Sequence, residues 1–134
     1  MHMLVALKKY LTSLGVKVLF IVLSQLNRNI ESNDRIINPR LQYPNKTDLF
    51  GASSIYYSSD YVIIIHRPAV IEGLGNWYGP AVKGFPNGLP IYNPSNSNQP
   101  MIYLHIIKER FGMNRVLAMV DELEKSRVTE YDLK

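Results

Sequence analysis

The run VKVLFIVL at residues 16–23 constrains this chain more than any other feature. It is rich in β-branched residues, almost wholly apolar, and shows none of the polar alternation of a half-buried strand. Such a run suits a strand covered on both faces, as in a parallel sheet flanked by helices. Upstream, Met3, Leu4, Leu7, Leu11 and Leu14 recur at helical spacing, which predicts an amphipathic helix over 3–13 with Gly15 as its stop. Helix, glycine and buried strand in that order form the second half of a strand–helix–strand crossover.

The rest of the chain divides by composition. Residues 24–48 are rich in Asn, carry two prolines and mix four cations with three acids, and a loop of this length in a compact domain is usually functional. Thr47 or Asp48 can then N-cap a short helix over 49–58. YVIIIH at 61–66 reads as a second buried strand, MIYLHII at 101–107 as a third and 115–120 as a fourth, with a turn at 108–113 around Gly112. Residues 121–126 read as a turn or one helical coil, and 127–131 as a closing edge strand. Between them, 68–100 is dense in Gly and Pro and predicts a long irregular insertion with a short ribbon near 89–92.

Length and composition exclude several classes. A chain of 134 residues with 46% apolar content supports one modest domain and is not a disordered tail. It has no cysteine, which removes disulfide scaffolds and thiolate metal sites and fits a reducing cytoplasm. The apolar runs are too short to span a bilayer, and no cleavage-site pattern marks a signal peptide, so no membrane partner is expected. The net charge of +4 permits contact with nucleic acid without requiring it.

Three places carry candidate chemistry. Ser24, Gln25, Leu26, Asn27 and Arg28 directly follow the first buried run, and in open α/β sheets the ligand crevice lies at the carboxyl ends of parallel strands. There the Gln25 amide can meet a phosphate oxygen or an attacking water; the plain alternative is a strand that ends in ordinary polar residues. Lys108 and Arg110 lie two apart at another strand end, on one side of extended backbone, where two cations can stabilise charge on a transferring phosphoryl group; a solvated basic turn is the alternative. The loop 27–46 offers Arg, Lys, Asn and Tyr43 to a phosphate backbone, or is simply solvated. Tyr56, Tyr57, Trp77 and Tyr78 read as packing residues before base-stacking ones. There is no G-x-x-x-x-G-K-[ST] phosphate loop, and His2, His66 and His105 lack metal-ligand spacing.

Taken in order, these pieces resemble the DnaB-like family of hexameric replicative DNA helicases. Leu7 and Lys8 look like the family's L-K pair. VLFIVLSQLNR at 18–28 is similar to its strand ending in S-Q-L-N-R. Thr47, Asp48 and Leu49, with Ser54, Ile55 and Asp60 downstream, look like its S-D-L-R-E-S-G-S-I-E-Q-D segment. YVIIIHR at 61–67 matches the strand that follows, and YLHIIKERFG at 103–112 matches the strand ending in K-x-R-x-G. The resemblance covers nearly the whole chain outside 68–100.

The resemblance implies an α/β, RecA-like P-loop NTPase fold fragment: a mostly parallel sheet with a C-terminal antiparallel ribbon, the C-terminal half of a helicase motor domain. The parent reaction would be ATP hydrolysis driving translocation on single-stranded DNA and duplex unwinding. Gln25 would sense the γ-phosphate. Lys108 and Arg110 would act in trans on the neighbouring subunit's ATP, with Arg110 as the arginine finger. Asn27, Arg28, Asp48, Gly51 and Ser53 would contact DNA, partly through backbone. ATP and Mg²⁺ would be held mainly by an N-terminal half outside this sequence and by the adjacent subunit. The implied partners are single-stranded DNA, identical subunits in a ring, and a helicase loader or primase. The implied compartment is the cytoplasm of a bacterium, or of a host carrying a bacteriophage. The alternatives are a non-enzymatic single-stranded-DNA-binding or regulatory module, and another RecA-type ATPase. The chain departs from the pattern at Phe50–Ser53, where the family's R-E-S-G is missing, and at Tyr56 and Tyr57, which replace E-Q.

Overall fold

A computed structural model describes residues 2–131, with only the backbone of His2, Ala52 and Ser53. The first helix, α1 (His2–Ser13), ends as its sequence predicts. Gly15 takes φ 78°, and the Val16 and Gly15 amides return to the Leu11 and Thr12 carbonyls, which satisfies the open helix end. Two short helices follow, α2 (Asn33–Ile37) and α3 (Ala52–Ser58). The strands are β1 (Tyr61–His66), β2 (Trp77–Tyr78), β3 (Leu89–Pro90), β4 (Tyr92–Asn93), β5 (Asn96–Glu109), β6 (Arg115–Glu122) and β7 (Arg127–Glu130).

The main sheet has the order β1-β5-β6-β7, with β4 folded onto the first residues of β5, and every pairing in it is antiparallel. This overturns the expected mostly parallel, RecA-like sheet. The connection between β5 and β6 is only residues 110–114, and a link that short joins antiparallel neighbours; a parallel pair needs a crossover of about a dozen residues or more. The run at 16–23 forms no ladder. It lies extended, with Leu19, Ile21 and Leu23 each at least 80% exposed, because the other strong strand-forming segments pair with one another. β1 is also not buried on both faces. Its side chains alternate, with Val62, Ile64 and His66 inward and Tyr61, Ile63 and Ile65 outward.

One face of the sheet carries the core. Met101, Tyr103, Ala118 and Val120 pack against Tyr78, Phe85, Leu89 and Ile91. The latter four come from 68–100, so that stretch is part of the core and not an appended loop. The β2–β3 ribbon closes tightly: at Gly88, φ 105°, a Cβ would meet the Gly79 and Tyr78 carbonyl oxygens at 3.0 Å. A second cluster joins Val62, Ile64 and Ile107 to Leu49, with Leu26, Ile55 and Tyr56 at its margin. This cluster seats the loop 24–50 on the sheet. Among the described residues, no helix is long and apolar enough to cross a membrane.

Candidate nucleic-acid interface

The loop 24–50 is held by a buried ion pair. Asp48, 1% exposed, takes a hydrogen bond of 3.0 Å from Arg35 Nη2 and one of 2.9 Å from the Asn45 amide. The same guanidinium donates to the Leu41 and Tyr43 carbonyls at 2.7 and 3.0 Å. Asn45 and Asp48 cap a single 3-10 turn at Lys46–Asp48 reciprocally, so Asp48 ends up inside that turn, and α3 instead starts after Gly51 in a left-handed conformation, φ 68°. A left-handed N-cap suits glycine, the residue present.

Two segments about twenty residues apart meet at this anchor. The Asn27 amide donates to the Asp48 carbonyl at 2.7 Å, the Phe50 amide donates to the Gln25 carbonyl at 3.1 Å, and Leu26 bridges Leu49. Asn27 Nδ2 also donates to the Thr47 carbonyl at 2.6 Å, while its Oδ1 accepts the Asn29 amide at 3.0 Å. The structure thus brings Gln25, Asn27, Arg28, Asp48 and Gly51 into one neighbourhood. The Gln25 side chain is exposed and makes no hydrogen bond among the described residues. Arg28 is exposed and has no ion-pair partner among them. The Ser53 side chain lies outside the described residues. Asp48 is turned inward onto Arg35 and buried as a whole residue, with its carbonyl taken by the Asn27 amide.

A cleft of about 430 Å³ opens beside this junction. Asn27, Arg28 and Glu31 line one side, His66 and Arg67 at the end of β1 the other, with aliphatic walls from Ile30 and Ile71. Arg67 is fixed by Asp121 at 2.8 Å. His66 is buried, and its Nε2 has no hydrogen-bond partner among the described residues. Burial lowers its pKa to about 4, aided by the charge of Arg35 and opposed by Asp48, so it is neutral at pH 7. Behind it lies a dense aromatic group. The His105 Nε2 and Tyr78 hydroxyl are 2.7 Å apart, and Tyr43 meets the His105 ring edge-on at 4.7 Å. His105 is lowered to about 3, by burial and then by His66.

Lys108 is engaged by the end of α3 and Arg110 by Asp60, just beyond it. The Lys108 ammonium donates to the Tyr56 carbonyl at 2.6 Å and lies 3.4 Å from that of Tyr57, which neutralises the helix's unsatisfied C-terminal carbonyls. Arg110 donates to Asp60 at 3.1 Å, and Lys8 from α1 holds the other carboxylate oxygen at 2.9 Å. The Lys8 hydrogen bond, with the charges of Lys8 and Arg110, holds Asp60 below the usual carboxylate range. Of the two cations, Arg110 is the freer, with its side chain 59% exposed.

Of the cleft residues, the sequence marks Arg67 only through the YVIIIHR match and gives His66 and Glu31 no role. His66 lies on the inward face with Val62 and Ile64, a placement that the all-apolar run before it does not announce. Among the described residues, no group of three or more His, Asp or Glu side chains is placed to hold a metal ion. No protein-family model, no curated protein and no solved structure matches this chain.

Proposed function

We propose that this chain is the single-stranded-DNA-contacting part of an ATP-dependent, ring-forming replicative helicase, working in a bacterial cytoplasm. The observation that supports this reading is the junction of residues 25–28 with 48–51. The DnaB-like resemblance assigns Asn27 and Arg28 of the first segment and Asp48 and Gly51 of the second to DNA, and backbone hydrogen bonds join the segments although about twenty residues separate them. The junction leaves Arg28 exposed beside a cleft whose other wall carries Arg67. Backbone phosphates supply most of the affinity of such contacts, through displaced counterions.

Arg28→Ala is the test. Labelled oligothymidylate titrated with the chain at several salt concentrations is expected to bind more weakly to the variant, with the salt slope reduced by about one. An unchanged slope would remove Arg28 from the interface.

The trans-acting role belongs to Arg110 in this reading. Lys108 is committed to its own helix end, whereas Arg110 sits exposed at a rigid strand terminus, held by a surface ion pair of small energetic weight. In a helicase ring containing this chain, Arg110→Ala is expected to lower ATP turnover by about 10³-fold or more while nucleotide affinity holds. Unaltered turnover would sink the assignment.

A further inference from the structure

We infer that Tyr57 and Lys46 form a base-stacking platform for single-stranded DNA, beside the Asn27–Thr47 contact. The inference rests on the DNA-contact reading above and adds the element that grips bases in addition to phosphates.

Three elements build the patch. The turn at Lys46–Asp48 places the Lys46 ammonium 5.6 Å from the Tyr56 ring centre and 5.9 Å from that of Tyr57. α3 supplies the two rings, packed edge to face at 5.4 Å. β5 supplies Lys108, whose ammonium lies 5.1 Å from the Tyr56 ring while it caps the helix. Tyr56 packs against the Val62–Ile64 cluster and is spoken for. Tyr57 is not, since it is 68% exposed on a helix end that is pinned in place. Lys46 has no ion-pair partner among the described residues. A fixed, exposed aromatic ring with an unpaired ammonium beside it matches the two halves of a nucleotide. A base stacks on the ring and the adjoining phosphate meets the cation.

The placement relative to the candidate interface is direct. The Thr47 carbonyl, next to Lys46, accepts the Asn27 side-chain amide, and Arg28 follows Asn27. Arg28 and Lys46 are thus the chain neighbours of the two residues that this hydrogen bond joins, and the Lys46 ammonium lies 5.9 Å from the centre of the Tyr57 ring.

The test compares an oligothymidylate with an abasic oligomer of the same length and charge, each titrated against the full chain by fluorescence anisotropy. The unaltered chain is expected to prefer the base-bearing oligomer by roughly tenfold, the order of one stacked base. Tyr57→Ala should abolish the preference, Tyr57→Phe should keep it, and Lys46→Ala should weaken binding of both oligomers. Because Tyr57 is exposed, its variants should retain the circular dichroism of the parent chain. Equal binding of the two oligomers by the unaltered chain overturns the platform and leaves the phosphate contacts standing. A preference that survives Tyr57→Ala also overturns it. Failure to bind either oligomer removes the DNA reading itself.

Discussion

Asp48→Ala is expected to destabilise the fold by about 3 to 5 kcal/mol, the range seen when one partner of a buried ion pair is deleted. The magnitude follows from what Asp48 leaves behind. Its carboxylate is 1% exposed on the side chain, and Arg35 opposite is only 13% exposed, so the guanidinium would be stranded in a poorly solvated position. The Asn45 amide would lose its acceptor as well. Arg35 would keep its bonds to the Leu41 and Tyr43 carbonyls but without a countercharge. Denaturant unfolding of the variant measures this, and a loss under about 1 kcal/mol would mean that the pair behaves as an exposed one. The same variant separates two roles for Asp48. As an anchor, its removal lowers stability and loosens residues 25–28, which hang on the Asp48 and Thr47 carbonyls. As a direct DNA contact, its removal would alter DNA affinity at constant stability. The expected pattern is the first, with weaker binding only as a consequence of the loosened loop. Arg35→Ala should resemble Asp48→Ala, and the double variant should cost much less than the two combined, since the residues share one interaction.

Local signals in the sequence carried through where a single element decided the outcome. α1 stops at Gly15 because a left-handed residue closes the helix, which the leucine spacing and the glycine together announce. The strand cores at 61–66, 101–107 and 115–120 all form, since β-branched runs bounded by turn residues have few other solutions. What failed was pairing. Residues 16–23 have the composition of a doubly buried strand, but composition does not say which edge receives them, and here no ladder does. The alternation in YVIIIH was hidden because both its faces are apolar: outward Ile63 and Ile65 read the same as inward Val62 and Ile64. The glycines and prolines of 68–100 masked Tyr78, Leu89 and Ile91, core residues spaced by turns instead of by any helical or strand period.

The site was legible as a set of segments and illegible as geometry. Gln25, Asn27 and Arg28 stood out at the end of an apolar run, and Asp48 and Gly51 through the resemblance, yet only the fold shows that the two groups touch. It also separates residues that share a role on paper. Asp48 turns inward to Arg35, a pairing thirteen residues apart that no local period predicts. Lys108 caps a helix fifty residues upstream, while Arg110, two positions on, stays exposed. Tyr56 and Tyr57 looked alike as packing residues. Adjacent positions on a helix face different ways, so one is absorbed by the core and the other is left to solvent.

Acidification from pH 7.5 to 5 is expected to remove roughly 4 kcal/mol of stability through His66 and His105 alone. Both imidazoles are buried, and both titrate below the ordinary histidine value of 6.5, at about 4 and about 3. The folded state therefore holds them neutral across a range in which the unfolded chain takes up protons. More protons bind to the unfolded state there, so stability rises with pH. The contribution is complete above about pH 6.5 and declines as pH falls, by about 1.4 kcal/mol per unit for each ring, until the folded values are reached. The surroundings offer a proton no relief. Among the described residues His66 Nε2 and His105 Nδ1 have no partner, the His105 Nε2 faces the Tyr78 hydroxyl, and Arg35 adds a repelling charge that the nearby Asp48 only partly offsets. Asp60 and Glu122, whose pKa values are lowered by their cationic partners, lose their contributions at lower pH, so the interval from 6.5 to 5 reports on the histidines. Unfolding free energies measured by denaturant at pH 7.5, 6 and 5 would show the fall, and the same series on His66→Phe and His105→Phe should each lose about half of the slope. A flat profile in the unaltered chain would mean that neither ring is held neutral by the fold.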